Sequence, residues 1–124
     1  MLKYIELKDP SYRGRAWIAR VRVSKSGRTI YFDGKALARG GGILGNHADI
    51  ETGEEYWVSG VKKTGLDRHW AGGGVVLIEA SAVDEDLVHT GAAELDRTRL
   101  RVIPDLQPTD MARLTALENQ KVDG

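Results

Sequence analysis

The chain contains no cysteine, so disulfides and thiolate metal sites are both excluded. That absence fits a reducing compartment. Long apolar runs are missing too. The longest, Val75-Val76-Leu77-Ile78, falls far short of the roughly 20 residues that a membrane-spanning helix needs. The first residues, Met1 to Glu6, carry charge too early to form the apolar core of a signal peptide. A cytoplasmic location with no membrane partner is the expectation. No nucleophile-elbow or zinc-protease motif is present, and no glycine precedes Lys62 at the spacing of a phosphate-binding P-loop. No internal repeat is visible.

The 124 residues fit one domain, which can bury roughly two thirds of the surface its unfolded form exposes. Net charge is zero but unevenly spread. Residues 1–40 hold ten Lys/Arg against three Asp/Glu, and residues 81–124 hold five against nine. This asymmetry marks either a surface for anionic partners or two halves that pack together and compensate.

Local patterns give the elements. Leu2 to Leu7 is rich in strand formers. From Ala16 to Val23, Trp17, Ala19, Val21 and Val23 share one face while Ile18, Arg20 and Arg22 share the other, the alternation of a half-buried strand. Ser24 to Gly27 supplies a turn, and Arg28 to Phe32 completes a hairpin with a basic tip. Asp33-Gly34 predicts another turn before a short extended piece at Lys35 to Ala38. A second hairpin runs through Ala48 to Glu51, Thr52-Gly53 and Glu54 to Ser59, and Val75 to Ala80 is a β-branched strand. Ser81 followed by Asp84 predicts a helix cap, with the helix ending near Gly91. Thr98 to Ile103 reads as a last strand, and Thr109 opens a final helix whose Met111, Leu114 and Leu117 form an apolar stripe. The expectation is a single mainly-β (α+β) domain over residues 1–124. It is a small SH3-like barrel or a strongly bent antiparallel sheet, with one or two C-terminal helices in 81–120. Strands first and helices last argue against alternating βαβ units.

Three groups of residues could carry chemistry. The stretch Ser59 to Gly74 places Lys62, Lys63, Arg68, His69 and Trp70 among glycines. Glycines let backbone N–H groups converge on an anion, the cations supply charge, and Trp70 offers a ring for stacking. Asp67 could orient His69 as a general base. A structural hairpin loop is the competing reading. The second group is Arg20, Arg22, Lys25 and Arg28, with Tyr12 and Tyr31 nearby, a mixture suited to single-stranded nucleic acid. Arg and Tyr on an edge hairpin also guard against edge-to-edge pairing. The third is His47, Asp49 and Glu51, alternate residues able to face one divalent ion. A solvated strand face explains them more simply, so no metal is expected. His89, at the end of an acidic helix, is accounted for by the favourable position of a cation there.

The segments Ala16-Trp17-Ile18, Ser24 to Phe32, Asp49 to Gly60 and Asp67 to Gly72 together resemble a family of small bacterial proteins of unknown function, through most of residues 3–103. Some members carry the label 1-deoxy-D-xylulose-5-phosphate synthase. That enzyme is large and depends on thiamine diphosphate, and 124 residues without a diphosphate-binding signature cannot supply its active site. The resemblance implies no catalytic residue. The chain departs from the family pattern at His47, where that pattern has Tyr.

These readings favour a non-enzymatic module, without cofactor, that binds an anionic partner such as nucleic acid or a nucleotide. A small hydrolase or transferase acting on a nucleotide-like substrate is the alternative. A protein-interaction subunit with an exposed Met111–Leu114–Leu117 stripe is the third.

Overall fold

The computed structural model describes residues 1–8, 15–40, 44–63, 75–108, 112–114 and 116. The strands are β1 (Leu2–Leu7), β2 (Ala16–Arg20), β3 (Arg22–Val23), β4 (Thr29–Phe32), β5 (Lys35–Arg39), β6 (His47–Asp49), β7 (Glu55–Ser59), β8 (Val76–Glu79) and β9 (Leu100–Ile103). A 3-10 turn at Ala80–Ala82 leads into helix α1 (Val83–Thr90), and residues 112–114 and 116 are helical. No helix among the described residues is long and apolar enough to cross a membrane.

The nine strands form one sheet in the order β3-β4-β5-β6-β7-β1-β2-β8-β9. β2 and β3 are separated only by Val21, yet β3 lies at one edge and β2 near the other. Chain continuity therefore forces the sheet to curl until β3 returns to β2, giving a half-barrel. Residues 16–20 pair with β1 and β8 and residues 22–23 pair with β4, so one bent strand serves three neighbours. Across the closed side, the rings of Trp17 and Phe32 meet edge to face, with centroids 5.3 Å apart. The β4–β5 link is a two-residue turn with positive φ at Asp33 and Gly34 (48° and 73°), as expected for a tight hairpin.

The alternation read in residues 16–23 is present: Ala19 and Val21 are buried in an inner core with Ile5, Ile30, Phe32, Leu37, Tyr56 and Val58, and Trp17 and Val23 pack against it. Ile18 on the outer face is buried too, in a second core with Tyr4, Val76, Ile78 and Ala82. That second core exists because Val61, the Ala80–Ala82 turn, Val83 and Leu95 pack over the outer face of β1, β2 and β8 there.

The mainly-β architecture agrees with the sequence reading. The sheet is mixed rather than wholly antiparallel: β8 runs parallel to β2, and β9 parallel to β8. β8, α1 and β9 thus make a single βαβ unit, with no alternating series of such units among the described residues. β8 reads as a continuous apolar run because it is paired on both sides and covered, the usual state of a parallel strand. Ser81 does not cap α1. It lies inside the 3-10 turn, its backbone N–H donates to Asp105 Oδ1 at 2.7 Å, and the N-cap position falls to Ala82. The helix does end at Gly91, in the left-handed conformation.

Leu114 is 0% exposed and packs with Tyr31, Ala36 and Ile50 on the outer face of β4–β5. An exposed stripe through Leu114 is therefore not available to a protein partner. Met111, Leu117 and Thr109 lie outside the described residues.

Candidate functional site

Lys62 and Lys63 follow β7 and are exposed. Asp67, Arg68, His69 and Trp70 lie outside the described residues, as does Tyr12. His89 lies in the last turn of α1, where its Nε2 donates to the Val61 carbonyl at 2.6 Å, a structural contact.

The basic hairpin is split by the pleat. Arg22 opposes Tyr31 on the outer face, and Arg20 shares that face by alternation. Lys25 sits exposed in the turn, and Arg28 belongs to the inner face, two residues before Ile30. Arg20 and Arg22 border a cleft of about 350 Å³ that also contains Glu79, Asp33 and Asp105. Those carboxylates are engaged. Glu79 accepts from the backbone of Arg20 (2.7 Å) and Leu106 (3.1 Å), Asp33 from Gln107 (3.2 Å), and Asp105 from Ser81 (2.7 Å). Arg20 Nε in turn lies 3.4 Å from Glu85. Three carboxylates against two guanidiniums, all tied to the 104–108 segment, make this cleft a seam that holds the chain's end to the sheet.

The inner rim is different. Arg39 donates its backbone N–H to the Arg28 carbonyl at 2.6 Å and opposes His47, which in turn opposes Tyr56. Directly opposed residues point to the same side of a sheet, so Arg28, Arg39, His47 and Tyr56 form one row across four strands. Lys3 of β1 is close enough to act on His47. Among the described residues, the side chains of Lys3, Arg28 and Arg39 take part in no ion pair and no hydrogen bond. His47 is 7% exposed, and its pKa lies below the usual histidine value. Burial is the main cause, followed by repulsion from Arg39 and Lys3. Tyr56 is pushed up to about 12 by burial, reinforced by Glu54, Asp49 and Asp33.

The loop before β6 fixes this geometry. Asn46 Nδ2 donates to the Val58 carbonyl and Asn46 Oδ1 accepts from the Val58 N–H, both at 2.8 Å, so its side chain stands in for a missing strand residue. The same Oδ1 lies 2.9 Å from His47 Nδ1. Gly45 must be glycine, because a Cβ there would come within 2.4 Å of the Tyr56 carbonyl oxygen. Glu55 Oε1 completes the turn by accepting from the backbone of Leu44 (3.2 Å) and Gly45 (3.1 Å).

The His47–Asp49–Glu51 set is not the solvated face expected of it. His47 and Asp49 are buried, since the curl carries β6 between two neighbours over the inner core. Asp49 Oδ1 is occupied by the Glu51 backbone N–H at 2.8 Å. Glu51 lies beyond the strand and pairs with Arg113 at 2.8 Å, which holds its carboxyl below the usual range. Among the described residues, no three His, Asp or Glu are placed to hold a metal.

Sequence reasoning singled out Arg28 but not Lys3, Arg39 or Asn46, and it read His47 as part of a solvated strand face, whereas His47 is buried. The row is made by register between strands far apart in the chain, which composition does not encode. Compared with known proteins, the chain matches no family model, no curated protein and no solved structure.

Proposed function

We propose that the protein is a non-enzymatic module that binds an anionic partner, a nucleic acid or nucleotide, through phosphate contacts along Lys3, Arg28, Arg39 and His47. The observation that supports this is a cluster of cations at the rim of the curled sheet, Lys3, Arg28 and Arg39, none of which forms an ion pair with a carboxylate among the described residues. Unpaired charges held this close repel one another, and a polyanion relieves that repulsion while releasing its own counterions. Lys25, exposed at the hairpin tip, extends the row. We read the curled sheet as a small SH3-like barrel, supported by the single bent strand at residues 16–23.

The test is fluorescence anisotropy with a labelled single-stranded oligonucleotide over a range of salt. Contacts from the three permanent cations, Lys3, Arg28 and Arg39, predict a log–log slope of about −2, since a single strand gives about −0.7 per contact. Arg28→Ala and Arg39→Ala should each weaken binding and lower the slope by about 0.7. Salt-independent binding, or full affinity in the double variant, would remove these residues from the interface.

A further inference from the structure

We propose that His47 makes this anion site proton-gated: it contacts a bound oxyanion through Nε2 only when protonated, so binding takes up one proton. The inference rests on the preceding reading of the rim as an anion site and assigns its regulation.

The argument begins at Asn46. Its amide orientation is fixed by β7, because the Val58 N–H can only donate and the Val58 carbonyl can only accept. Oδ1 therefore faces the N–H, and Nδ2 faces the carbonyl. An amide oxygen cannot donate, so the contact between Oδ1 and His47 Nδ1 requires the proton on Nδ1. A neutral imidazole carries one ring proton, which leaves Nε2 with a bare lone pair. Among the described residues Nε2 has no hydrogen-bond partner, yet it is not a fully buried orphan. It is an acceptor on a side chain 7% exposed, opposite Arg39 and within electrostatic reach of Lys3.

An acceptor at that place repels an oxyanion, whereas a protonated Nε2 donates to it. The surroundings decide which form prevails. Arg39 faces His47 from β5, with Arg28 behind it immediately before β4, and Lys3 approaches from β1. Tyr56 on β7 is neutral below about pH 12. Asp49 lies on the same face of His47's own strand, and one of its oxygens is already engaged by the Glu51 N–H. Without ligand, burial and the cations disfavour the protonated imidazole. A phosphate at the rim reverses the local field and favours the imidazolium.

The test uses a short oligothymidylate, whose bases and phosphodiesters do not titrate between about pH 5 and pH 8, the range of histidine switching. Affinity should rise as pH falls, by up to about tenfold per unit, the limit for one linked proton. His47→Gln should flatten that dependence while keeping the salt slope of the Arg contacts, and His89→Gln should leave it in place. In the unaltered protein, nitrogen NMR of the ring should show the Nδ1–H tautomer without ligand, and a raised pKa when oligothymidylate is added. An Nε2–H tautomer, or affinity that is flat with pH yet still lost on Arg39→Gln, overturns the gate and leaves the anion site standing. Absence of binding at every pH and at low salt overturns both.

Discussion

Asn46 gives the sharpest test of the rim's construction. Asn46→Ala removes the donor to the Val58 carbonyl and the acceptor for the Val58 N–H, both 2.8 Å bonds. Val58 is buried in the inner core, so water does not readily replace them. A buried polar group left without its partner costs about 1–3 kcal/mol. Two such groups, partly relaxed, give an expected loss of about 2–4 kcal/mol, a large share of the roughly 5–15 kcal/mol that holds a domain folded. Denaturant unfolding followed by the fluorescence of the tryptophans would measure it, as a lower midpoint at unchanged m-value. Asn46→Asp keeps the acceptor for the Val58 N–H but sets two oxygens against each other at the carbonyl, so it should still be destabilising. If Asn46→Ala stays within about 0.5 kcal/mol of the unaltered protein, the size of an ordinary surface substitution, the amide is not pinning β7 and the tautomer argument at His47 falls with it.

Other expectations follow from separate parts of the fold. Leu114→Ala should cost about 2–5 kcal/mol by equilibrium unfolding, because the side chain is fully buried against Tyr31, Ala36 and Ile50. Glu79→Gln turns one backbone-accepting oxygen into a donor facing the N–H of Arg20 or Leu106, so it should destabilise by about 1–3 kcal/mol and speed amide exchange at those two residues. In a buffer whose ions do not bind, His47 should make the protein less stable in acid. Its folded pKa lies below its unfolded one, so the unfolded chain binds the proton first, and stability falls as pH drops from the ordinary histidine range through the folded value. Unfolding midpoints at neutral and mildly acid pH would show this, and His47→Gln should remove that part of the pH dependence.

Local signals were legible and register was not. The first strand, the alternation at residues 16–23, the turn at Ser24 to Gly27 and the tight turn at Asp33-Gly34 could all be read, because periodicity and turn chemistry act over a few residues. Val21 gave no sign that the strand would bend there and change partners, since the choice of neighbour is settled by the rest of the sheet. The parallel placement of β9 was hidden for the same reason. His47 and Asp49 looked solvated because polar residues on a short strand usually are, and only the curl buries them. Arg28, Arg39 and Lys3 come from three strands, and their meeting follows from pairings that no single segment records.

The bent strand at residues 16–23 has a further consequence, for how the molecule comes apart. Where most curled sheets close along a line of hydrogen bonds, this one closes through the backbone itself, since the two flanks meet across Val21. Thermal fluctuation can unzip a hydrogen-bonded seam a few bonds at a time, but a covalent one can be opened only by giving up a whole strand. Amides of β1, β4, β5 and β7 should therefore exchange in one cooperative step, while β9, paired on one side only, opens first. Cutting the chain between Arg20 and Arg22 would free β3, at the end of the strand order, as an edge ready to recruit a strand from another copy, while β2 stays paired with β1 and β8.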